Sequence, residues 1–247
     1  MSHHFLVIGA QRCGTTWLHD VLAGHPQIAM ARPARPEPKA FLRPGTLDLD
    51  TYRSTFFGHA TDERALGEKS TSYLESPDAP ARVAASVGRP RIVVQLRDPV
   101  DRAVSNWSFS RDHGMEDRPL NEAVRADLTQ PRPWDRATSS VSPFAYVTRG
   151  HYVRDLTRWT ERFEVYVQFV TEVRAEPDRL SLLYRWLGVD ERFRPHLDSV
   201  PTHPSSPTLD RLDPDLIEEL REHYADSDAA LSALLGRDLP WPVRQAA

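Results

Sequence analysis

The chain has 247 residues, enough for one sizeable core, with 27% charged and 40% hydrophobic residues as in an ordinary globule. Its net charge of −4 excludes a general nucleic-acid binder built on a broad basic surface, but leaves room for a local cationic pocket facing a small anion. A single cysteine, Cys13, excludes an intrachain disulfide; the apolar runs FLVIGA and RIVVQL are too short to span a membrane, and MSHH carries no apolar signal core, so a cytoplasmic location is expected.

Residues 4–9 form an apolar run ending in glycine, followed by a loop and a helical pattern through Thr16, Leu18, Val21 and Leu22. That is a strand, a phosphate-type turn and a helix, the opening of an α/β unit. The proline-dense stretch ARPARPEPKAFLRPG predicts an irregular connection, and 52–66 carry a weak helical pattern. RIVVQLRDP (91–99) predicts a second buried strand that turns at Asp98-Pro99. With Asp98 as N-cap and Pro99 at the first helical position, a helix then runs to about Arg111.

From His113 to Phe144 the chain is polar and broken by prolines, with one short helix expected at 121–128; a functional lid or acceptor segment is expected at about 113–149. HYVRDLTRWTERF predicts an amphipathic helix with Tyr152, Leu156, Trp159 and Phe163 at helical spacing. EVYVQFV predicts a third strand, DRLSLLYRWLGV a helix stopped by Gly188, and the stretch from Asp213 a closing helix ended by Gly236. Strands alternating with helices predict an α/β fold: a single domain over 1–247 with a central, mostly parallel sheet flanked by helices.

The opening loop, GAQRCGTTWL, has Gly9, four residues, Gly14 and then Thr15 and Thr16. A nucleotide-binding P-loop places Lys after the second glycine, where it reaches the terminal phosphates. Here Thr15 stands in that place, and Arg12 is the only cation of the loop. A strand-to-helix turn offers backbone N–H groups and the positive end of the helix dipole to an anion. Arg12 can add a two-pronged contact to phosphate or sulfate, and Thr15 and Thr16 add hydroxyl donors. The bland alternative is a tight turn without a ligand. A second candidate anion site pairs Arg97, at the end of its strand, with Ser105 two turns into the next helix; ligands of open α/β sheets collect at the carboxyl ends of the strands. Its bland alternative is a local ion pair of Arg97 with Asp98 or Asp101.

Together, GAQRCGTTWL and RDPVDRAVSNW resemble the paired donor-binding signatures of sulfotransferases that use 3′-phosphoadenosine 5′-phosphosulfate (PAPS). The resemblance implies that Arg12, Cys13, Gly14, Thr15 and Thr16 hold the 5′-phosphosulfate and that Arg97 and Ser105 hold the 3′-phosphate. It also implies a P-loop-like sulfotransferase fold, adenosine 3′,5′-bisphosphate (PAP) as product, and no metal. PEPKAF and GEKSTSYL, which contain the chain's two lysines, Lys39 and Lys69, resemble segments of the heparan sulfate and bacterial branches. They imply Glu37 as the base that takes the acceptor's proton and Lys69 as the cation beside the bridging oxygen, with Arg12 sharing the catalytic role. RGHYVRDLTRW and the end of the chain extend the likeness from about His4 to Pro242. Ala40 stands where relatives carry an aromatic residue, and Arg12 where many carry Lys.

Read from the residues alone, Glu37 is a carboxylate in a proline-rich loop and Lys69 a surface partner of Glu68. His113 and His151, which flank the lid segment, are second candidates for the base. No Cys/His cluster has metal-ligand spacing. The activity implied is transfer of a sulfuryl group to a hydroxyl, or less readily an amine, of a small-molecule or carbohydrate acceptor, with no nucleic-acid or membrane partner. The expected setting is modification of a small metabolite, in secondary metabolism. The aromatics Trp107, Phe109, Trp134, Phe144 and Tyr146 and the arginines Arg111, Arg118, Arg132, Arg136 and Arg149 are its candidate lining, and His203, Ser205 and Ser206 sit where relatives cover the 3′-phosphate. Competing readings are a P-loop-type nucleotide kinase, disfavoured by the missing lysine, and a non-catalytic nucleotide-binding protein of the same fold.

Overall fold

The computed structural model describes residues 2–45, 47–133, 142–196 and 211–244. Trp134, Arg136, His203, Ser205 and Ser206, with the rest of 200–208, lie outside the described residues. The chain divides into two compact units, one of residues 1–96 and 155–203, the other of 97–154 and 204–247.

The first unit contains a five-stranded sheet. Its strands are β1 (His3–Gly9), β2 (Ile28–Met30), β3 (Ala65–Lys69), β4 (Arg91–Leu96) and β5 (Val165–Phe169). Their order is β2-β3-β1-β4-β5, and every neighbouring pair is parallel. β1 is buried at every position from His4 to Gly9, as a parallel strand covered on both faces must be. Its helices are α1 (Thr15–Ala23), α2 (Leu49–Phe57), α3 (Ala79–Val87), α7 (Val170–Ala175) and α8 (Leu180–Leu187), together with most of α6 (Tyr152–Thr160). Phe5, Val7, Leu18, Leu22, Val93, Leu183 and Leu187 share one core cluster. Each such side chain, removed from water, stabilises the fold by about 1.5–3 kcal/mol.

The sequence pattern accounts for three of the five strands. β2 is only three residues long, too short for a period to register. β3 reads ALGEK, and its glycine and two charged residues conceal a strand buried at all five positions. The weak helical pattern at 52–66 resolves into α2, a turn and the start of β3. In β3, Gly67 is required by close approach. A Cβ there would stand 2.2 Å from Phe5 Cζ and 2.6 Å from Met30 Sδ.

The second unit contains α4 (Pro99–Asp112), α5 (Leu120–Thr129) and α9 (Pro214–Leu235), around a core that includes Trp107, Val124, Tyr146, Leu216 and Tyr224. As expected, α4 opens with Asp98, whose side chain accepts from Val100 N at 2.9 Å, and Pro99 occupies the first helical position. Gly188 and Gly236 end α8 and α9. Arg102 is fully buried and donates to the carbonyls of Ala145 and Tyr146. Asp127 accepts from Val147 N at 2.7 Å. The described part of 113–149 is therefore anchored through its backbone.

Candidate active site

Two adjacent strand ends of the first unit carry most of the candidate residues. β1 and β3 run parallel with Val7 opposite Lys69, so the loop after Gly9 and the segment after Lys69 leave the sheet at the same edge. Ser70 N donates to Val7 O at 3.1 Å and Leu74 N to Ile8 O at 3.0 Å, which ties the two exits together.

The loop of residues 10–14 has two left-handed residues, Arg12 at φ 66° and Gly14 at φ 76°. Ala10 N donates to Gln95 O at 2.8 Å and Cys13 N to Ala10 O at 3.3 Å, which closes the turn, and alternation of hand is the backbone pattern of anion-binding concavities. Gly14 adopts this conformation freely, whereas a non-glycine residue such as Arg12 is strained there by about 1–3 kcal/mol. The buried Gln95 of β4 fixes the loop from below: its Nε2 donates to Cys13 O at 2.8 Å, and its Oε1 accepts from Gln168 Nε2 at 2.7 Å. Because a trans peptide points its C=O and N–H in opposite directions, the Gly14 N–H faces away from Gln95. A Cβ at Gly14 would stand 2.9 Å from Val170 Cγ2, so the loop's inner side is filled. Thr15, also buried, starts α1, and Thr16 is half-buried beside it. Cys13 is fully buried with Sγ 3.7 Å from Gln11 O, as a filler side chain would be.

At the end of β3, Lys69 Nζ donates to Glu37 Oε1 at 2.7 Å. Thr71 N donates to Glu37 Oε2 at 3.0 Å, and Thr71 Oγ1 lies 3.1 and 3.2 Å from the two carboxylate oxygens. Lys69 is 6% exposed and the Glu37 side chain 17%. Glu37 is therefore a held carboxylate, and the partner of Lys69 is Glu37, 32 residues earlier in the chain, in place of the adjacent Glu68. The reason is strand geometry: successive side chains of β3 point to opposite faces, so Glu68 and Lys69 cannot face each other.

Glu68 is fully buried on the opposite face. Tyr52 O–H donates to Oε2 at 2.6 Å, while Ser70 Oγ and Tyr73 O–H donate to Oε1 at 2.6 and 2.5 Å. Burial raises its pKa; the three hydroxyl donors hold it down, and the charge of Glu37 adds to the rise. Burial and the neighbouring Glu68 carboxylate push the Tyr52 and Tyr73 hydroxyls well above their usual range. Sequence reasoning missed both Glu68 and Gln95. The signal was a polar residue inside a short buried strand.

In the second unit, Arg97 directly follows the last residue of β4. Its Nε lies 3.8 Å from Asp101 Oδ2, with both side chains partly exposed. Asp98 is engaged by Arg221 at 2.9 and 2.5 Å. Asp101 and the buried Ser105 are four residues apart, one above the other on one face of α4. His113 contacts Phe109 O through Nδ1 at 2.8 Å, and the Nε2 atoms of His151 and His223 are 2.9 Å apart. Of the aromatics named above, Trp107 and Tyr146 belong to the core. Arg118 pairs with Glu116, and Arg111 and Arg132 lie over the rings of Trp107 and Phe144. Among the described residues, no group of three or more His, Cys, Asp or Glu is placed to hold a metal ion, and no helix is long and apolar enough to cross a membrane.

The family profile "Sulfotransferase domain" matches residues 2–170, more than half of the chain. The chain belongs to the sulfotransferase domain family. It is 37% identical over 206 residues to bifunctional heparan sulfate N-deacetylase/N-sulfotransferase 3 of Mus musculus, covering 76% of this chain and 22% of that protein. It is 26% identical over 263 residues to heparan sulfate glucosamine 3-O-sulfotransferase 3B1 of Homo sapiens, covering 96% of this chain and 64% of that one. The sulfotransferase chain thus spans less than two thirds of either curated relative. A solved sulfotransferase from Alicyclobacillus acidocaldarius superposes with a TM-score of 0.76 at 26% identity, over 97% of this chain and 98% of the other. Mouse sulfotransferase SULT7A1, solved as a complex with PAP, has a similar fold, with a TM-score of 0.54 at 17% identity. The all-parallel sheet flanked by helices is the P-loop-like sulfotransferase fold.

Proposed function

We propose that the protein transfers a sulfuryl group from PAPS to a hydroxyl, or less readily an amine, of a small-molecule or carbohydrate acceptor, and releases PAP. The observation that carries this reading is the Glu37–Lys69 pair, 2.7 Å apart at the end of β3, next to the strand whose exit loop is curled for an anion. The donor chemistry of that loop fits a phosphosulfate: a helix N-terminus, the Thr15 and Thr16 hydroxyls and the Arg12 guanidinium are all hydrogen-bond donors. PAPS supplies the sulfuryl group.

The chain's residues do the rest. Arg12, Cys13, Gly14, Thr15 and Thr16 receive the 5′ end, and Arg97 with Ser105 receives the 3′-phosphate. Glu37 takes the proton of the acceptor hydroxyl as its oxygen bonds to sulfur. Lys69 shares its charge between Glu37 and the bridging oxygen, whose bond to sulfur breaks, and so stabilises the departing phosphate. As in phosphoryl transfer, alignment and charge stabilisation supply most of the rate.

Two measurements test this. Calorimetry without added metal should give tight binding of PAP and weak binding of ATP; the reverse preference points to a kinase. Incubation with PAPS labelled in its sulfate, over a panel of phenolic, alcoholic and carbohydrate acceptors, should give a labelled product; binding of PAP with no transfer to any acceptor would reduce the protein to a binder.

A further inference from the structure

The buried carboxylate of Glu68 accepts hydrogen bonds from Tyr52, Ser70 and Tyr73 and none from the anion loop, yet two of these donors also meet the loop that carries Glu37. A carboxylate can only accept hydrogen bonds, so the three hydroxyls around it must each direct their single proton at it. Ser70 Oγ and Tyr73 Oη then have only lone pairs left to offer. Those lone pairs meet backbone donors of the Glu37 loop: Lys39 N reaches Ser70 Oγ at 2.9 Å, and Phe41 N reaches Tyr73 Oη at 3.1 Å. Tyr52, the third donor, has no such link to the loop among these contacts; its hydroxyl donates to Glu68 Oε2. The loop 37–41 is thus gripped twice, through the Glu37 side chain by Lys69 and Thr71, and through its backbone by two hydroxyls that Glu68 orients.

We infer that Glu68 is a positioning residue: by fixing the direction of the Ser70 and Tyr73 hydroxyls it sets the place of the loop that presents Glu37 to Lys69. The kinetic part of this inference rests on the sulfuryl transfer proposed above; the structural part does not. A misplacement of about 1 Å at a reacting group lowers turnover by about 100-fold, so a small loosening of the loop is visible in kinetics.

The test compares Glu68→Gln, Tyr73→Phe and Ser70→Ala with Tyr52→Phe, reading amide exchange of residues 37–42, thermal unfolding, PAP affinity and turnover. Glu68→Gln and Tyr73→Phe should speed exchange in 37–42 by about five- to tenfold, the equivalent of one lost hydrogen bond, while exchange in α1 stays unchanged. Turnover should fall by about 10- to 100-fold with the PAP dissociation constant held within about twofold. Tyr52→Phe should lower the melting temperature and leave both loop exchange and turnover as in the parent. Unchanged exchange in 37–42 for both Glu68→Gln and Tyr73→Phe overturns the inference. So does an equal loss of turnover in Tyr52→Phe and Tyr73→Phe, which would reduce Glu68 to a stabiliser of the core. Should Glu68→Gln fail to fold, Tyr73→Phe and Ser70→Ala carry the same comparison. A parent that transfers no sulfuryl group defeats the proposed reaction alone, and exchange in 37–42 still decides whether Glu68 holds the loop.

Discussion

Lys69 Nζ and Glu37 Oε1 are 2.7 Å apart, and Thr71 holds the same carboxylate from its other side. The carboxylate is thus held from two sides, by an ammonium and by a backbone N–H. In Lys69→Ala, turnover should drop by about 10²–10³-fold, the usual loss of one donor to a developing oxyanion. The dissociation constant for PAP, measured by calorimetry, should change only a few-fold. Equal losses in both quantities would mean that Lys69 serves binding alone.

Thr71→Val removes the hydroxyl that lies 3.1 and 3.2 Å from the Glu37 oxygens and leaves the Thr71 N–H contact in place. Turnover should fall by less than in Lys69→Ala, by about tenfold, roughly the worth of one hydrogen bond to a charged group. Steady-state kinetics at saturating donor reads the difference. A loss as large as that of Lys69→Ala would show that the hydroxyl touches the reacting atoms.

Charge reversal in Arg97→Glu should weaken PAP binding before anything else. The ion pair of Arg97 with Asp101, at 3.8 Å and partly exposed, contributes within about 1 kcal/mol, so the fold should survive the change. An unaltered PAP dissociation constant would remove Arg97 from the 3′-phosphate assignment.

Asp228 accepts from Trp241 Nε1 at 3.0 Å, and burial pushes its pKa up to about 6 from 3.8. A carboxyl whose pKa is raised by folding binds its proton more tightly in the folded state. Stability is therefore lost as pH rises from about 4 to about 6, by up to about 3 kcal/mol. Asp228→Asn, which keeps an oxygen for Trp241, should melt higher than the parent at pH 7.5, and the gap should close by pH 4.

His4 shifts in the other direction. Burial first, then the charge of Arg53, lowers its pKa to about 4 from 6.5. The unfolded chain then takes up a proton that the folded state refuses, so stability falls as pH drops from about 6.5 to about 4. Denaturant titrations at pH 6.5 and 4.5 should show a larger loss for the parent than for His4→Phe, which has nothing to protonate.

Much of the framework was legible in the sequence because its signals are local. The apolar run 4–9, the Asp98-Pro99 start and the Gly188 and Gly236 stops are each decided by a few adjacent residues, and the structure has all of them. Three strands of the parallel sheet followed from the same kind of signal. What escaped depends on partners distant in the chain. β3 gains its place from β1 and β2 on either side, which no local period reports. The pairing of Lys69 with Glu37 in preference to Glu68 follows from β3 being a strand, and so was lost with it. The roles of Glu68 and Gln95 were hidden for the related reason that a buried polar residue declares itself only through the donors that surround it.

The bare backbone at Gly67 extends this dependence. Phe5 and Met30 meet in the space where a side chain would otherwise stand, 2.2 and 2.6 Å from the missing carbon. One added methyl group would wedge that seam and bow β3, and the next two residues along the bow are Glu68 and Lys69. The place of Lys69 opposite Glu37 thus depends on hydrocarbon contact in the depth of the sheet. A flaw introduced there, touching no polar atom, would displace the ion pair at the strand's far tip.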